Sequence, residues 1–269
     1  MSLYGFGNGY HKQVDEAESA VVASVVLTVS EGKRLIAKAV AKMPIVRKAL
    51  RKGMVIICKG TTNTYIAEEI LESPVVHGSY VLGRIYPWQN GKKLPAVSPV
   101  NEIILINGVR QPDMSLEDAV SRLGPGDVVI KGANLLDYKN NLAGVCIGSP
   151  TSGTAGTVIP YVIARRAHLV IPIGLEKLVA GNLADIAATI NAPTEQLNSV
   201  PAMYVITGHI VTEIDAIKQL ADVNVCETAC GGIGGQEGGR WFAVEGKKEQ
   251  VQKMLKIVEQ VHGEPPFVE

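Results

Sequence analysis

The hydrophobic pattern alternates short apolar runs with longer segments in which apolar residues recur at helical spacing. Four apolar runs are bounded by glycine, proline, asparagine or charged residues and predict strands: 54–58, 102–107, 127–131 and 168–173. Helical periodicity fills most of the intervals between them. This alternation predicts an α/β fold with a mostly parallel, Rossmann-like sheet that is flanked by helices.

Several predicted helices are marked by their first residues. Ser30 is a suitable N-cap for a helix that ends near residue 42, and Pro44 is expected to open a second helix through Arg51. Ser115, with Asp118 three residues later, predicts a further helix. Pro160 would cost about 3 kcal/mol in a helix interior, so we expect a helix start or a kink there.

The carboxyl-terminal third shows smaller units after a linker-like segment at 191–201. Residues 203–261 have a strand, helix, strand, strand, helix pattern, which is typical of a ferredoxin-like lobe. We therefore predict an anion-binding main domain at 1–195 and a small lobe at 196–269. Residues 21–29 fit a strand or part of a helix, and 71–99 are predicted to form a β-rich excursion.

Composition narrows the class of protein. The 269 residues carry 26 basic and 26 acidic side chains, and this balance gives no reason to expect nucleic acid or a membrane surface as a partner, although a local charged patch stays open. Four scattered cysteines suggest reduced thiols. No apolar run approaches the roughly 18 residues that cross a bilayer. These features predict a cytoplasmic protein.

The strongest candidate site is the turn after the strand at 54–58. It combines a glycine, a lysine, an asparagine and three threonines before a helix, and helix N-termini bind anions through free N–H groups and the helix dipole. Its predicted ligand-binding residues are Lys59, Gly60, Thr61, Thr62, Asn63 and Thr64. A well-capped connection without a ligand is the alternative.

Two later segments are further candidates. Lys131, Gly132 and Asn134 follow a strand, at the edge where open sheets bind ligands, and Asp137 and Lys139 lie close by in the sequence. Small hydroxylated residues before the next helix predict a second anion cradle, with a flexible loop as the alternative. Its predicted residues are Gly148, Ser149, Thr151, Ser152, Gly153 and Thr154.

Other patterns argue against familiar chemistries. The glycine-rich segment 230–240 contains no Gly-x-Gly-x-x-Gly and joins two predicted strands, so it predicts a hairpin loop or a loop that closes over a ligand or a neighbouring subunit. Cys226 and Cys230 would lie about 13 Å apart in an extended strand, too far to share a metal. The histidines show no ligand spacing, and no Gly-x-Ser-x-Gly elbow is present. We expect neither a metal nor a cofactor.

Three stretches together resemble the superfamily of ribose-5-phosphate isomerase, glucosamine-6-phosphate deaminase and the CoA transferases. They are VIICKGTTNTYIAEE at 55–69, DVVIKGANLLD at 127–137 and LVIPIGLEKLV at 169–179, within a similarity that covers about residues 30–180. The resemblance implies a pocket for a phosphorylated small molecule. Where the isomerase motif has two leading acids, this chain has Lys131 and Asn134, which cannot act as carboxylates in proton transfer.

The predicted function is therefore binding of a sugar phosphate, a nucleotide or a CoA-like molecule. A non-catalytic sensor or an oligomeric assembly protein is one alternative, and an isomerase-like or CoA-transferase-like enzyme is another. In the enzyme alternative, the possible actors are Asp137, Arg165, Glu176 and Lys177. The small lobe or the glycine-rich loop is expected to pair subunits of a homo-oligomer.

Overall fold

The computed structural model describes residues 20–82 and 100–267. The strands are β1 (Val21–Leu27), β2 (Met54–Ile57), β3 (Ile103–Ile106), β4 (Val109–Arg110), β5 (Val128–Ile130), β6 (Leu135–Asp137), β7 (Leu142–Ile147), β8 (His168–Pro172), β9 (Ala202–Ile206), β10 (His209–Val211), β11 (Asn224–Cys230) and β12 (Arg240–Gly246). The helices are α1 (Val29–Lys42), α2 (Pro44–Arg51), α3 (Thr61–Leu71), α4 (Leu116–Ser121), α5 (Gly153–Arg165), α6 (Leu183–Ile190), α7 (Glu213–Ala221) and α8 (Lys248–Glu259). A 3-10 turn spans Leu175–Lys177.

The core of the protein is a six-stranded mixed sheet in the order β10-β8-β5-β2-β3-β4. Strands β10, β8, β5 and β2 are parallel to one another, whereas β3 pairs antiparallel with both of its neighbours, β2 and β4. Every residue of β2 and β5 is buried, as expected for strands covered on both faces. The α/β class is confirmed, and the sheet is mixed.

Two polar side chains, the partly buried Asp127 and the buried Tyr80, hold neighbouring strand ends together. Asp127 accepts hydrogen bonds from the backbone N–H of Met54 at 2.7 Å and of Gly124 at 2.8 Å. Tyr80 donates its hydroxyl to the carbonyl of Ile57 and accepts the N–H of Ile103 at 2.8 Å. Asp127 thus holds the first residue of β2, and Tyr80 links the last residue of β2 to the first residue of β3. Together these bonds position the turn after β2.

The helix starts follow side-chain capping. Thr28, and not the expected Ser30, caps α1, because its hydroxyl accepts the N–H of Glu31 while the Glu31 carboxylate accepts the N–H of Thr28. Pro44 opens α2 and Ser115 caps α4, as expected. Helix α5 begins at Gly153 and continues through Pro160, which is exposed. Burial of Val158, Ile159 and Val162 offsets the lost backbone bond.

Two smaller antiparallel sheets join distant parts of the chain. One has the order β1-β12-β11 and pairs Val21 with Gly246. The other has the order β6-β7-β9 and pairs Ala143 with Ile206. Strands from the predicted small lobe thus pair with strands from the predicted main domain, and β10 also extends the six-stranded sheet.

An ionic network ties the carboxyl-terminal segment to α1 and α3. Arg34 bonds Glu68 at 2.7 Å and Glu264 at 2.8 Å, and approaches Glu69 at 3.4 Å. Its guanidinium carbon lies 4.6 Å from the ring centroid of Tyr65, a cation–π arrangement. The Arg34 side chain is only 15% exposed, so this network is shielded from solvent more than an ordinary surface pair.

No helix within residues 20–82 and 100–267 is both long enough and apolar enough to span a membrane. Most of the predicted β-rich excursion lies outside the described residues.

Candidate functional site

The carboxyl ends of three parallel strands lie at the same edge of the main sheet. Strand β2 leads into Lys59 and Gly60, β5 leads into residues 131–134, and β8 leads into the 3-10 turn. This edge is where open α/β sheets bind ligands.

A cavity of about 530 Å³ opens at this edge, and we call it the strand-end cavity. Its described lining residues are Lys59, Leu82, Lys131, Asn134, Val145, Cys146, Ile147, Gly148, Ser149, Ser152, Gly153, Thr154, Ala155 and Pro201. Its volume is in the usual range for small-molecule sites. The structure thus brings together residues from all three predicted candidate segments.

The N-terminus of α5 forms one wall of the cavity. Ser152 adopts a left-handed conformation with φ of 60°, and no side chain caps the first turn of the helix. The loop before α5 packs tightly on Gly156, because a Cβ there would overlap the carbonyl oxygen of Thr151. Uncapped amides of a 13-residue helix, together with its dipole, favour an anion at this wall.

Two lysines that line the cavity lie at the ends of β2 and β5. Lys59 Nζ is 3.5 Å from Glu102 Oε2, so its charge already has a partner. Lys131 Nζ donates to the carbonyl of Gly132 at 2.8 Å, and no carboxylate of the described residues lies within 4.0 Å of it. Partial burial lowers the pKa of Lys131, because its ammonium group loses hydration without gaining a carboxylate partner among the described residues.

Asn134 connects the two halves of the site. Its Oδ1 accepts the backbone N–H of Cys146 at 3.0 Å, and its own N–H donates to the carbonyl of Gly144 at 2.7 Å. These bonds hold β7 beside the end of β5. Val145, Cys146 and Ile147 of β7 then supply an apolar wall.

The rest of the turn after β2 does not line the cavity. Several of its groups bond within the protein, whereas Thr62 Oγ1 and Asn63 Oδ1 are buried without a partner among the described residues. The Gly60 N–H donates to Tyr80, and the Thr64 hydroxyl donates to the Gly60 carbonyl. Asn63 Nδ2 donates to Cys58 and Ile130, joining the ends of β2 and β5. Thr61 and Thr62 lie in the first turn of α3 and also stay outside the lining.

Gly132 and Thr151 likewise lie beside the cavity. A Cβ at Gly132 would stand 3.7 Å from the carbonyl oxygen of Pro172, and the Thr151 hydroxyl lies 3.1 Å from that of Ser149. The remaining predicted residues of the second cradle, Gly148, Ser149, Ser152, Gly153 and Thr154, all line it.

The proposed catalytic actors occupy different places. Asp137 accepts bonds from Asn140 and from the N–H of Leu183, and the Asn140 side chain is the main cause of its lowered pKa. Arg165 is exposed at the far end of α5 from the cavity. Lys177 Nζ donates to the Ala133 carbonyl at 3.0 Å. Glu176 lies in a buried cluster with Glu213, away from the described lining.

The thiols near this edge are poor nucleophiles. Burial raises the pKa of Cys58 to about 12, and burial also raises the pKa of Cys146. Among the described residues, no group of three or more histidine, cysteine or acidic side chains is placed to hold a metal ion.

Sequence patterns did not indicate the β7 wall, Leu82 or Pro201. Strand β7 lies in a segment rich in glycine and asparagine, and its partner β9 lies far along the chain. Only the tertiary pairing brings these residues to the site.

Nothing among protein-family models, curated proteins or solved structures matches this chain. The superfamily resemblance therefore stays a prediction.

Proposed function

We propose that the chain binds a phosphorylated small molecule in the strand-end cavity. The observation that carries this proposal is Lys131, a partly buried ammonium group without a carboxylate partner among the described residues, in a cavity that the uncapped start of α5 also lines. An anionic group between them would supply the missing counter-charge and accept the free amides. The apolar β7 wall suits the uncharged part of a sugar phosphate, a nucleotide or a CoA-like molecule.

Binding without acid–base catalysis in the cavity is the function that its chemistry favours. The described lining residues include two lysines, an asparagine and hydroxyl groups, but no carboxylate and no histidine. A sensor or carrier needs only such donors, whereas the isomerase motif described above supplies carboxylates for proton transfer. The isomerase-like or transferase-like alternative would require Lys131, whose lowered pKa makes it a candidate base, or a group from outside this lining.

The finer fold assignments are part of the same proposal. A Rossmann-like arrangement is supported by the four parallel strands with a cavity at their carboxyl edge. A ferredoxin-like lobe is supported by two helices, α7 and α8, that pack on the antiparallel β1-β12-β11 sheet. A cytoplasmic, homo-oligomeric protein remains our expectation.

Lys131→Met is expected to weaken phosphate binding by about 10- to 100-fold, because a charge-assisted hydrogen bond to an anion contributes about 1.5–3 kcal/mol. Isothermal titration with inorganic phosphate measures this change. Arg165→Met is the matched control, since it removes the same charge from the exposed end of α5.

Equal phosphate affinity in the two variants would contradict the proposal, and so would the absence of phosphate binding by the wild type. Native mass spectrometry of the purified protein then identifies a retained ligand. Titrations with ribose 5-phosphate, AMP and CoA rank the three classes against inorganic phosphate.

A further inference from the structure

The amine of Lys131 is held in the strand-end cavity by a neutral partner. Lys131 is partly buried, and its Nζ donates to the Gly132 carbonyl at 2.8 Å. Within residues 20–82 and 100–267, it forms no ion pair with a carboxylate. A neutral carbonyl stabilises an ammonium group less than a carboxylate does. The unprotonated amine, which carries a lone pair, is therefore easier to reach here than it would be in an ion pair.

A second lysine beside this group strengthens the effect. Lys177 Nζ donates to the Ala133 carbonyl at 3.0 Å, so the two amines are bonded to the carbonyls of adjacent residues. Burial is the main cause of the lowered pKa of Lys131, and the charge of Lys177 acts in the same direction. The Cys58 thiolate would oppose both, but burial raises the pKa of that thiol to about 12. Nucleophilic lysines are activated in this way, by desolvation or by a second cation.

The other nucleophilic groups of the described lining are less suited to attack. Lys59 Nζ lies 3.5 Å from Glu102 Oε2, so its amine would first have to leave an ion pair. Burial raises the pKa of Cys146, which keeps its thiol protonated. The serine and threonine hydroxyl groups need a neighbouring base, and this part of the lining contains neither a histidine nor a carboxylate.

The cavity has room for a substrate that reaches Lys131. Its volume of about 530 Å³ accommodates a small sugar phosphate. The uncapped start of α5 favours the phosphate group, and Lys131 lines the same cavity at the end of β5. An open-chain sugar phosphate carries an aldehyde or ketone away from its phosphate. Nucleotides lack such a carbonyl group, so an amine in this place favours the sugar-phosphate class.

We propose that Lys131 forms an imine with the carbonyl group of a small phosphorylated aldehyde or ketone bound in the strand-end cavity. The Nζ lone pair attacks the carbonyl carbon, and the carbonyl oxygen takes up a proton to give a carbinolamine. A carbon–nitrogen double bond then forms as the carbon–oxygen bond breaks and water leaves. The protonated imine keeps a positive charge in the cavity, so the phosphate group retains a counter-charge.

The step is reversible and ends at the imine. Removal of a proton from the adjacent carbon would need a base, and the described lining residues provide no carboxylate or histidine for it. Attack by water on the imine carbon releases the unchanged carbonyl compound and the free amine. This inference rests on the proposed function, because the bound phosphate group is what places the carbonyl group at Lys131.

Reductive trapping with glyceraldehyde 3-phosphate and sodium cyanoborohydride tests the proposal. The reductant converts an imine into a stable secondary amine, and peptide mass spectrometry locates the modified lysine. We expect Lys131 to be modified about tenfold or more faster than the exposed Lys248, because binding holds the carbonyl group beside the amine. Both lysines are compared in one wild-type protein, so this result depends on no variant that must fold.

Competition and one substitution complete the test. An excess of inorganic phosphate is expected to slow modification of Lys131 and not that of Lys248, and glyceraldehyde without phosphate is expected to lose the preference for Lys131. Lys131→Arg keeps a positive charge in the cavity but has no primary amine. We expect it to lose the trapped adduct and to bind phosphate more tightly than Lys131→Met does.

The outcomes separate this inference from the proposed function. Phosphate binding by the wild type with equal modification of Lys131 and Lys248 would overturn the imine and leave the proposed function intact. Preferential modification of Lys131 that phosphate does not slow would overturn the assignment of a phosphorylated substrate. A wild type that binds no phosphate would overturn the proposed function and this inference with it.

Discussion

Relative to Glu213→Gln, the wild type will lose free energy of unfolding as pH rises from about 4.5 to 7. Burial, and next the nearby Glu176 carboxylate, raise the pKa of Glu213 to about 7 from its ordinary 4.5. The unfolded chain releases this proton near pH 4.5, whereas the folded protein keeps it until about pH 7. The folded state therefore binds more protons in this window, and stability declines as pH increases.

The size of the stability loss follows from the pKa shift of Glu213. A displacement from 4.5 to about 7 corresponds to a loss of about 3 kcal/mol, complete above pH 7 and absent below pH 4.5. Glu176, Arg240 and Lys33 all interact electrostatically with the same carboxyl group. Glutamine has nearly the same shape and keeps the acceptor for the Leu175 N–H.

Urea denaturation at pH 4.5, 6, 7 and 8 measures this difference, with the variant compared to the wild type at each pH. Other groups act in the opposite direction; Asp137, whose pKa is lowered, stabilises the fold as pH rises. Only the wild-type minus variant difference isolates Glu213. The exposed Glu245→Gln is the control, and equal slopes for wild type and Glu213→Gln would contradict the prediction.

Arg34→Ala is expected to lower the free energy of unfolding by about 2–4 kcal/mol. The substitution leaves the Glu68 and Glu264 carboxylates, whose side chains are 13% and 14% exposed, without their main cationic partner. Breaking a buried ion pair by removing one partner costs about 3–5 kcal/mol, and the partial exposure reduces that figure. The cation–π contact with Tyr65 is lost as well.

Denaturation at neutral pH measures the loss, and hydrogen exchange reports its location. We expect faster amide exchange around Glu264, because Arg34 is the residue that pairs it with α1. Arg51→Ala removes an exposed arginine from the end of α2 and is expected to change stability by less than about 0.5 kcal/mol. Comparable losses in the two variants would show that the network adds little.

Local sequence patterns predicted those helices and strands whose positions depend mainly on their own residues. Pro44 opens α2 and the apolar runs became β2, β5 and β8, because their preferences and the buried environment agree. Pro160 misled the prediction, since the packing of α5 outweighs the missing N–H. Strands β6 and β7 lie in a segment that resembles a loop, and only β9 gives them a sheet to join.

The candidate site likewise combines residues that local sequence patterns indicate with contacts that only the tertiary structure reveals. Lys131 and Asn134 could be found from sequence because residues after parallel strands gather at one edge, and the start of α5 because small hydroxylated residues precede a helix there. The hydrogen bonds that Gly60 donates to Tyr80 and Asn63 donates to Ile130 could not be predicted from sequence, because these partners lie elsewhere in the chain. Lys131 differs from Lys59 through a partner, Glu102, which no local pattern near Lys59 indicates.

The pairing of β1 with β12 has a consequence for synthesis on the ribosome. Strand β1 leaves the exit tunnel long before the strand beside it, because Val21 pairs with Gly246. Val25 and Leu27, which are buried in the finished protein, lack this neighbouring strand throughout that interval. Such a long-range pairing folds slowly and leaves an apolar strand open to aggregation. We therefore expect β1 to be an aggregation-prone segment of the nascent chain until β12 has been synthesised.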